Sequence, residues 1–300
     1  MKCMPSYLML VLAASTLEIG AQERPKITGV DHVEFFTTAP EANRHLYVTV
    51  LGLAETSLLE ADEIERFLVG EQWIGYRRAS DPSVNDRMDH VAFTTEDCQA
   101  LHGYLSRKGL TPGPMEESKD GSRWFRVKDP DGHSIEFRQP SKSVSQPNSK
   151  GDPVSWQIIH AGFIVRDRTA EDHFYRDTLR FRPYWHGGMQ PDRTDWVSLQ
   201  VADGKEWLEY MLSAPPIPDL RTSGVLNHVS LGVRDMKATA AKLEAHGWTP
   251  HANEQAKIGR DGKWQLNLYD PDLTRIELME FKPVEKPCCS DFEASHPEER

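Results

Sequence analysis

The chain is acidic and long enough for two domains. It has 300 residues, of which 38% are hydrophobic, a share that can build the cores of two domains of ordinary size. Its 35 lysines and arginines are outnumbered by 46 aspartates and glutamates, which gives a formal net charge of −11. The basic residues form no cluster, so the composition argues against nucleic acids and anionic membrane surfaces as partners.

The first 21 residues have the pattern of a secretory signal. Lys2 supplies a basic start, residues 7–17 are mostly apolar, and Gly20 and Ala21 are the small residues typical of a cleavage site. The apolar run is too short to anchor the chain in a bilayer. We therefore expect cleavage after Ala21 and an exported protein, periplasmic or secreted, without a membrane anchor.

A histidine opens an apolar, strand-like run four times along the chain. Three later runs carry one glutamate among apolar neighbours. Imidazole nitrogens and carboxylate oxygens placed on strands are typical ligands of a divalent metal ion, here Zn, Ni, Mn or Fe. The histidines are His32, His90, His160 and His228, and the glutamates are Glu136, Glu209 and Glu277.

The chain repeats itself in four modules. Residues 31–56 align with residues 159–184 without a gap, and the run that begins at His90 aligns with the run that begins at His228. Repeats in this order indicate a tandem duplication of a two-module unit. The sequence therefore predicts two similar halves.

The two copies differ at one candidate metal ligand. Glu136 aligns with Glu277, but Gly75 falls at the position that Glu209 occupies in the later copy. Because burying a carboxylate without a cation or another partner costs several kcal/mol, the glutamates among apolar residues favour a metal site. We expect one strong metal site and one weak or empty site per chain.

Each module is predicted to form one strand, one helix and then three strands. In the second module, Thr95-Glu96-Asp97 is a helix-start signal, and Gly109 is a typical helix end. A turn at Asp129-Pro130-Asp131-Gly132 precedes a last strand, in which alternation turns Glu136 away from its apolar neighbours. The predicted fold class is α+β.

These modules resemble the vicinal oxygen chelate superfamily, which includes glyoxalase I, extradiol dioxygenases and the fosfomycin and bleomycin resistance proteins. The resemblance covers about residues 26–283 and includes the helix end Phe174-Tyr175-Arg176-Asp177-Thr178-Leu179. It implies four βαβββ modules that pair into two partly closed barrels around a metal. The implied metal ligands are His32, His90, Glu136, His160, Glu209, His228 and Glu277.

The family pairs its modules either sequentially or by exchange, and the sequence leaves both open. In either arrangement, one site receives two histidines and two glutamates, and the other receives two histidines and one glutamate. We predict the following organisation: a signal peptide over 1–21, a first domain over 26–140 with modules one and two, a linker over 141–155, a second domain over 156–283 with modules three and four, and a disordered tail over 284–300.

Three functions fit such a protein. The first is a metal-dependent, glyoxalase-like lyase or isomerase that acts on a small molecule with neighbouring oxygens, with Glu209 or Glu277 as the general base. Because the predicted export removes the chain from the cytosolic thiol pool, glutathione is not the expected co-substrate. The functional protein is expected to be a monomer or a homodimer.

The second function is an Fe(II) extradiol-type ring-cleaving dioxygenase, because two histidines and one carboxylate form a suitable facial triad. The family's dioxygenases carry a histidine upstream of a tyrosine near the last ligand, whereas residues 259–264 precede Tyr269 without one. The third function is non-enzymatic: binding and sequestering a small molecule in the barrel cavity.

Overall fold

The computed structural model describes residues 23–56, 64–141, 151–250 and 254–298. The predicted signal peptide, residues 1–21, and most of the predicted linker lie outside the described residues. Within the described part of the chain, no helix is both long enough and apolar enough to cross a membrane.

The first half of the chain forms one eight-stranded sheet. Its order, β2-β3-β4-β1-β5-β8-β7-β6, places the first strands of modules one and two next to each other at the centre. The strands are β1 Ile27–Thr37, β2 Ala54–Thr56, β3 Ile64–Val69, β4 Gln72–Arg78, β5 Met88–Thr95, β6 Glu116–Glu117, β7 Arg123–Lys128 and β8 Ser134–Gln139. The helices are α1 Pro40–Arg44, which continues into a π-helical turn over His45–Val50, and α2 Cys98–Arg107.

The second half repeats this arrangement in the order β10-β11-β12-β9-β13-β16-β15-β14. Its strands are β9 Ile158–Ile164, β10 Arg182–Gly187, β11 Trp196–Gln200, β12 Trp207–Met211, β13 His228–Val233, β14 Lys257–Ile258, β15 Trp264–Tyr269 and β16 Arg275–Glu280. Its helices are α3 Arg168–Asp172, with a π-helical turn over His173–Thr178, α4 Leu220–Leu226 and α5 Met236–Ala245. The predicted α+β fold of four βαβββ modules is confirmed.

Within each module the helix crosses over the sheet, so the first strand lies parallel to the last one. β1 pairs with β4 in parallel, and the same holds for β9 and β12. The modules then join through antiparallel pairs of their first strands, β1 with β5 and β9 with β13. Of the two pairing modes that the sequence left open, the structure has the sequential one.

Local signals fix the helix ends where the sequence predicts them. The Asp97 carboxylate accepts a hydrogen bond from the backbone N–H of Ala100 at 2.9 Å, which caps the first turn of α2. Gly109 follows the helix with a φ of +85°, in the left-handed region that glycine adopts without steric strain. The Asp235 carboxylate caps α5 through Ala238 in the same way, as the duplication requires.

Polar contacts join the two halves around one continuous apolar core. The Gln72 side chain accepts a hydrogen bond from the Ile158 N–H at 2.7 Å and donates one to the Ile158 carbonyl at 3.1 Å. The Tyr76 hydroxyl donates to Asp270 Oδ2 at 2.8 Å, and the Tyr175 hydroxyl of the second half donates to Asp129 Oδ2 at 3.1 Å. The halves are thus held together through buried, paired polar groups.

The chain after residue 283 packs on the second half, which differs from the disordered tail predicted for 284–300. Phe292 contacts the ring of Tyr184 with 4.9 Å between ring centroids, and the Tyr184 hydroxyl is 2.7 Å from Nδ1 of His296. Cys288 and Cys289 form a disulfide within this segment. A polar composition predicts disorder, but the single aromatic ring of Phe292 gives the segment an apolar anchor.

Candidate metal centre

Four adjacent strands of the second half each contribute one candidate ligand. His160 lies on β9, Glu209 on β12, His228 on β13 and Glu277 on β16, which are consecutive in the sheet. In the register of the sheet, Glu209 and His228 both lie beside Gly162 of β9. A Cβ atom at Gly162 would come within 2.1 Å of His228 Cε1, so only glycine leaves room for this imidazole.

The ligand atoms of His160, Glu209 and His228 all lie within 4.8 Å of one another, and Glu277 approaches this group at His160. His160 Nε2 is 3.1 Å from His228 Nε2 and 3.3 Å from Glu277 Oε2. Glu209 Oε2 is 3.9 Å from His160 Nε2 and 3.7 Å from His228 Nε2. A metal ion with bonds of about 2.1 Å to nitrogen and oxygen fits between atoms at this spacing.

Burial sets the charges of this group. Desolvation lowers the pKa of His160 and of His228, which favours the neutral imidazoles that bind metals. Desolvation and the charge of Glu277 raise the pKa of Glu209 to about 8. Although burial opposes it, the charges of Arg275 and His160 hold the pKa of Glu277 well below its usual range. The charge of Arg275 also acts on Glu209 but does not outweigh burial and the charge of Glu277.

Two cations that the sequence analysis did not identify lie beside the ligands. The Arg275 guanidinium donates from Nη2 to His228 Nε2 at 2.7 Å. Lys263 is fully buried, with Nζ 4.5 Å from the centroid of the Trp207 ring and 3.1 Å from the Tyr184 hydroxyl. Arg275 was detectable in the sequence, because it stands two residues before Glu277 on the same strand and so shares its face. No sequence pattern indicated Lys263.

A cavity of about 330 Å³ opens onto the two glutamates of the second half. Five aromatic side chains line part of its wall, and charged and polar side chains, Arg260 and Lys257 among them, line the rest. A cavity of this size and composition suits a small molecule that has both apolar and polar groups. The aromatic lining residues are Tyr184, Trp185, Trp196, Trp207 and Phe292.

The first half brings its three predicted ligands together as well. His32 Nε2 is 3.0 Å from His90 Nε2, and Glu136 Oε2 is 3.3 Å from the same His90 atom. An arginine enters this group: Arg126 Nε is 3.0 Å from Glu136 Oε2, and its Nη2 is 3.2 Å from His90 Nε2. All three predicted ligands are almost completely buried.

A glutamate that the sequence analysis missed replaces the one absent at Gly75. Glu34 of β1 is the register partner of Gly75 of β4, and its carboxylate lies 3.7 Å from His90 Nδ1. In the second half the equivalent pair is Gly162 on β9 and Glu209 on β12. The two halves have therefore exchanged glycine and glutamate between neighbouring strands. The aligned sequences contain this signal, because Glu34 aligns with Gly162 just as Gly75 aligns with Glu209.

The two halves balance their buried carboxylates differently. In the first half, burial is outweighed by the hydrogen bond from His90 and the charges of His32 and Arg126, which lower the pKa of Glu136 to about 2. Glu34 also has an arginine, with its Oε2 3.2 Å from Arg77 Nε. The first half thus supplies its own cations, whereas Glu209 in the second half has none at such a distance among the described residues.

Family models match both halves of the chain. Models of the glyoxalase/bleomycin resistance protein/dioxygenase superfamily match residues 29–137 and residues 159–266. The chain belongs to this superfamily. The resemblance seen in the sequence is therefore confirmed, although the second match ends before β16, the strand that carries Glu277. No curated protein matches the chain in sequence.

Solved structures of two kinds of enzyme are similar to this fold. A variant of homoprotocatechuate 2,3-dioxygenase from Brevibacterium fuscum, in complex with HPCA, has a TM-score of 0.65 at 19% identity, over 85% of this chain and 72% of that one. The Mn(II)-bound glyoxalase from Novosphingobium aromaticivorans has a TM-score of 0.65 at 18% identity, over 90% of this chain and 86% of that one. At this identity, the likeness shows the fold alone.

Proposed function

We propose that the second half holds a divalent metal ion through His160, Glu209, His228 and Glu277, and that the protein is a glyoxalase-like lyase or isomerase. Its substrate is a small molecule with two neighbouring oxygens. The observation that carries the proposal is a second carboxylate, Glu209, which is only 13% exposed, lies within 4 Å of both imidazole nitrogens and forms no salt bridge to a lysine or arginine in the described part of the chain.

The residues fit a metal. Two neutral imidazoles and two carboxylates are a donor set for Zn, Ni, Mn or Fe. A cation at this position would offset the cost of burying Glu209, whose pKa burial raises to about 8. When bound, such a metal acts as a Lewis acid that polarises the oxygens of a substrate and makes the adjacent C–H more acidic.

The side chains of this chain would then move the proton. The Glu209 carboxylate faces the cavity, where it can take a proton from the carbon beside the substrate oxygens and return it to the neighbouring carbon. Ser198 donates a hydrogen bond to Glu209 Oε1 at 3.3 Å and so holds the carboxylate in place. Aromatic side chains line part of the cavity beside Glu209, and Arg275 provides a positive charge for an anionic substrate group.

An Fe(II) ring-cleaving dioxygenase is the second candidate. His160, His228 and Glu277 alone supply two histidines and one carboxylate, and similar structures include an extradiol dioxygenase with bound HPCA. In that reaction Glu209 would not be needed as a proton acceptor between two carbons. The role of Glu209 therefore separates the two candidates.

Glu209→Gln and Glu277→Gln test the proposal, with Glu136→Gln in the first half as the matched control. The probes are the hemithioacetal of methylglyoxal with cysteine and, for ring cleavage, 3,4-dihydroxyphenylacetate. We expect isomerase activity with Zn²⁺ in the absence of air, a loss of about 10²–10⁴-fold in each second-half variant, and near-normal activity in the control. Circular dichroism and metal analysis should show that both second-half variants remain folded and keep part of their metal.

Other outcomes would replace the proposal. Activity on the catechol that requires Fe(II) and O₂, and that survives Glu209→Gln, would identify a dioxygenase. If neither probe is turned over but both bind in calorimetry, the protein sequesters small oxygenated molecules. If Glu136→Gln lost as much activity as Glu209→Gln, the reaction could not be assigned to the second half of the chain, and the proposal would be wrong.

A further inference from the structure

A third group of metal-type side chains lies where the two halves meet. Asp129 and His133 lie in the turn between β7 and β8 of the first half, and Glu171 lies in α3 of the second half. One ligand atom of each of these three residues lies within 4.8 Å of the other two. Their chemistry, one imidazole and two carboxylates, is that of a divalent cation site.

Of the two carboxylates in this group, Asp129 has hydrogen bonds to both oxygens, whereas Glu171 has one to only one of its oxygens. Asp129 Oδ2 is 2.8 Å from His133 Nδ1 and accepts from the Tyr175 hydroxyl at 3.1 Å. Glu171 Oε1 accepts a hydrogen bond from the Asp131 N–H at 2.9 Å. Its other oxygen, Oε2, is buried without any hydrogen-bond partner in the described structure. A fully buried carboxylate with an unused oxygen points to a missing cation or proton.

The charges that act most strongly on Glu171 are negative. Asp129, Asp131 and Asp167 are near enough to act on it, and together with burial they raise the pKa of Glu171 to about 9. Neither Asp129 nor Glu171 has a salt bridge to a lysine or arginine in the described part of the chain, where Arg166 bonds to a carbonyl instead. Like charges buried together are costly unless a cation joins them.

The duplication provides an internal comparison. The equivalents of Asp129, Glu171 and His133 are Asp270, Asn43 and Thr274. Asp270 keeps the framework of its counterpart, since it accepts hydrogen bonds from the Thr274 N–H at 2.8 Å and from a tyrosine hydroxyl. The fold therefore needs the aspartate but tolerates neutral residues at the other two positions. One copy carries a carboxylate and an imidazole at these two positions, and the other carries neither.

The group is open to solvent on one side. A cavity of about 430 Å³ is lined by Asp131, Gly132, His133 and Arg166, and the His133 side chain is 19% exposed. An ion can therefore reach the buried carboxylates past the imidazole. The ring of His133 is held by stacking on Phe163, with 4.1 Å between ring centroids.

We propose that Asp129, His133 and Glu171 bind a divalent cation that joins the first half to the second half. The site is distinct from the candidate metal centre and does not depend on the proposed function. Its cation links the β7–β8 turn to α3, so its role is to stabilise the arrangement of the halves. Zn²⁺ and Mn²⁺ suit one nitrogen and two oxygen donors with water completing the coordination.

The test replaces His133 and Glu171 by the neutral residues found at the equivalent positions of the other copy. His133→Thr/Glu171→Asn and the more conservative Glu171→Gln are prepared in the full chain, stripped with EDTA and reloaded with ZnCl₂ or MnCl₂. We expect each variant to hold one equivalent of metal fewer than the original chain. Metal at about a hundredfold above its dissociation constant should raise the Tm of the original chain by roughly 5 °C through this site, and this increment should disappear.

His160→Ala/His228→Ala separates this site from the candidate metal centre. That variant should keep the equivalent of metal that Glu171→Gln loses, whether or not the proposed enzyme activity exists. The proposal would be overturned if the original chain and Glu171→Gln held equal amounts of metal and if added metal raised the Tm of both proteins equally. In that case Glu171 simply shares a proton with Asp129, and Glu171→Gln should melt at the same temperature as the original chain or higher with EDTA present.

Discussion

The exchange of Glu34 and Gly75 predicts a strong coupling between these two positions. A Cβ atom at Gly75 would lie 2.6 Å from Trp73 Cζ3 and 2.8 Å from Glu34 Cγ, both well inside normal carbon contact. Overpacking of this kind costs about 1–3 kcal/mol, and a second carboxylate facing Glu34 adds to it. We expect Gly75→Glu alone to lower the free energy of unfolding by about 3 kcal/mol.

The compensating change should recover much of this loss. Glu34→Gly alone removes the ion pair between the buried Glu34 carboxylate and the partly exposed Arg77, and it places a glycine in a strand, at a cost of about 1–2 kcal/mol. The double variant Glu34→Gly/Gly75→Glu reproduces the arrangement of the second half, with glycine on the first strand and glutamate on the last. We expect it to lose only about 2 kcal/mol, which corresponds to a coupling energy of about 2–3 kcal/mol.

Urea unfolding followed by circular dichroism, with EDTA present, measures all four proteins of the cycle. A control cycle combines Gly75→Glu with Glu96→Gly, an exposed residue that pairs with Lys26, and should be additive. If the losses from Glu34→Gly and Gly75→Glu add to within about 0.5 kcal/mol, the two side chains do not compete for one space, and the inferred exchange is wrong.

Three further outcomes follow from the described contacts. Arg275→Met removes a cation that is 2.7 Å from His228 Nε2, so calorimetry should show metal binding to the second half at least about tenfold tighter, whereas Arg275→Lys should change it little. Burial raises the pKa of Asp270 to about 7, so the protonated acid stabilises the folded protein at about pH 4. This contribution to the free energy of unfolding, up to about 4 kcal/mol, is lost as the pH rises to 7. In Asp270→Asn the fall in Tm between pH 5 and 8 should be smaller, and an unchanged slope of Tm against pH would show that Asp270 titrates normally. Phe292→Ala removes the ring that packs on Tyr184, so a protease should cut the chain after residue 283 faster while the sheets stay folded. An unchanged cutting rate would mean that Phe292 does not anchor this segment.

The sequence by itself determined the fold and most of the candidate ligands. Strand-opening histidines and lone glutamates recur because duplicated strands keep the same side facing inward, so alignment of the chain with itself was enough to find them. Helix caps at Asp97 and Asp235 are local in sequence and were equally predictable. The same alignment showed that Gly75 stands where the later copy has Glu209.

Only the tertiary structure decided which strands are neighbours, and function depends on that. Three features join residues that are distant in sequence. They are the sequential pairing of the modules, the position of Glu34 beside Gly75 in the β1–β4 pair, and the contact of Glu171 with the β7–β8 turn of the other half. Sequence periodicity tells which side of a strand a residue faces, but not which strand lies beside it. The charge that a buried carboxylate carries also depends on cations such as Arg126, which reaches Glu136 from the neighbouring strand, and the sequence does not show which strands are neighbours.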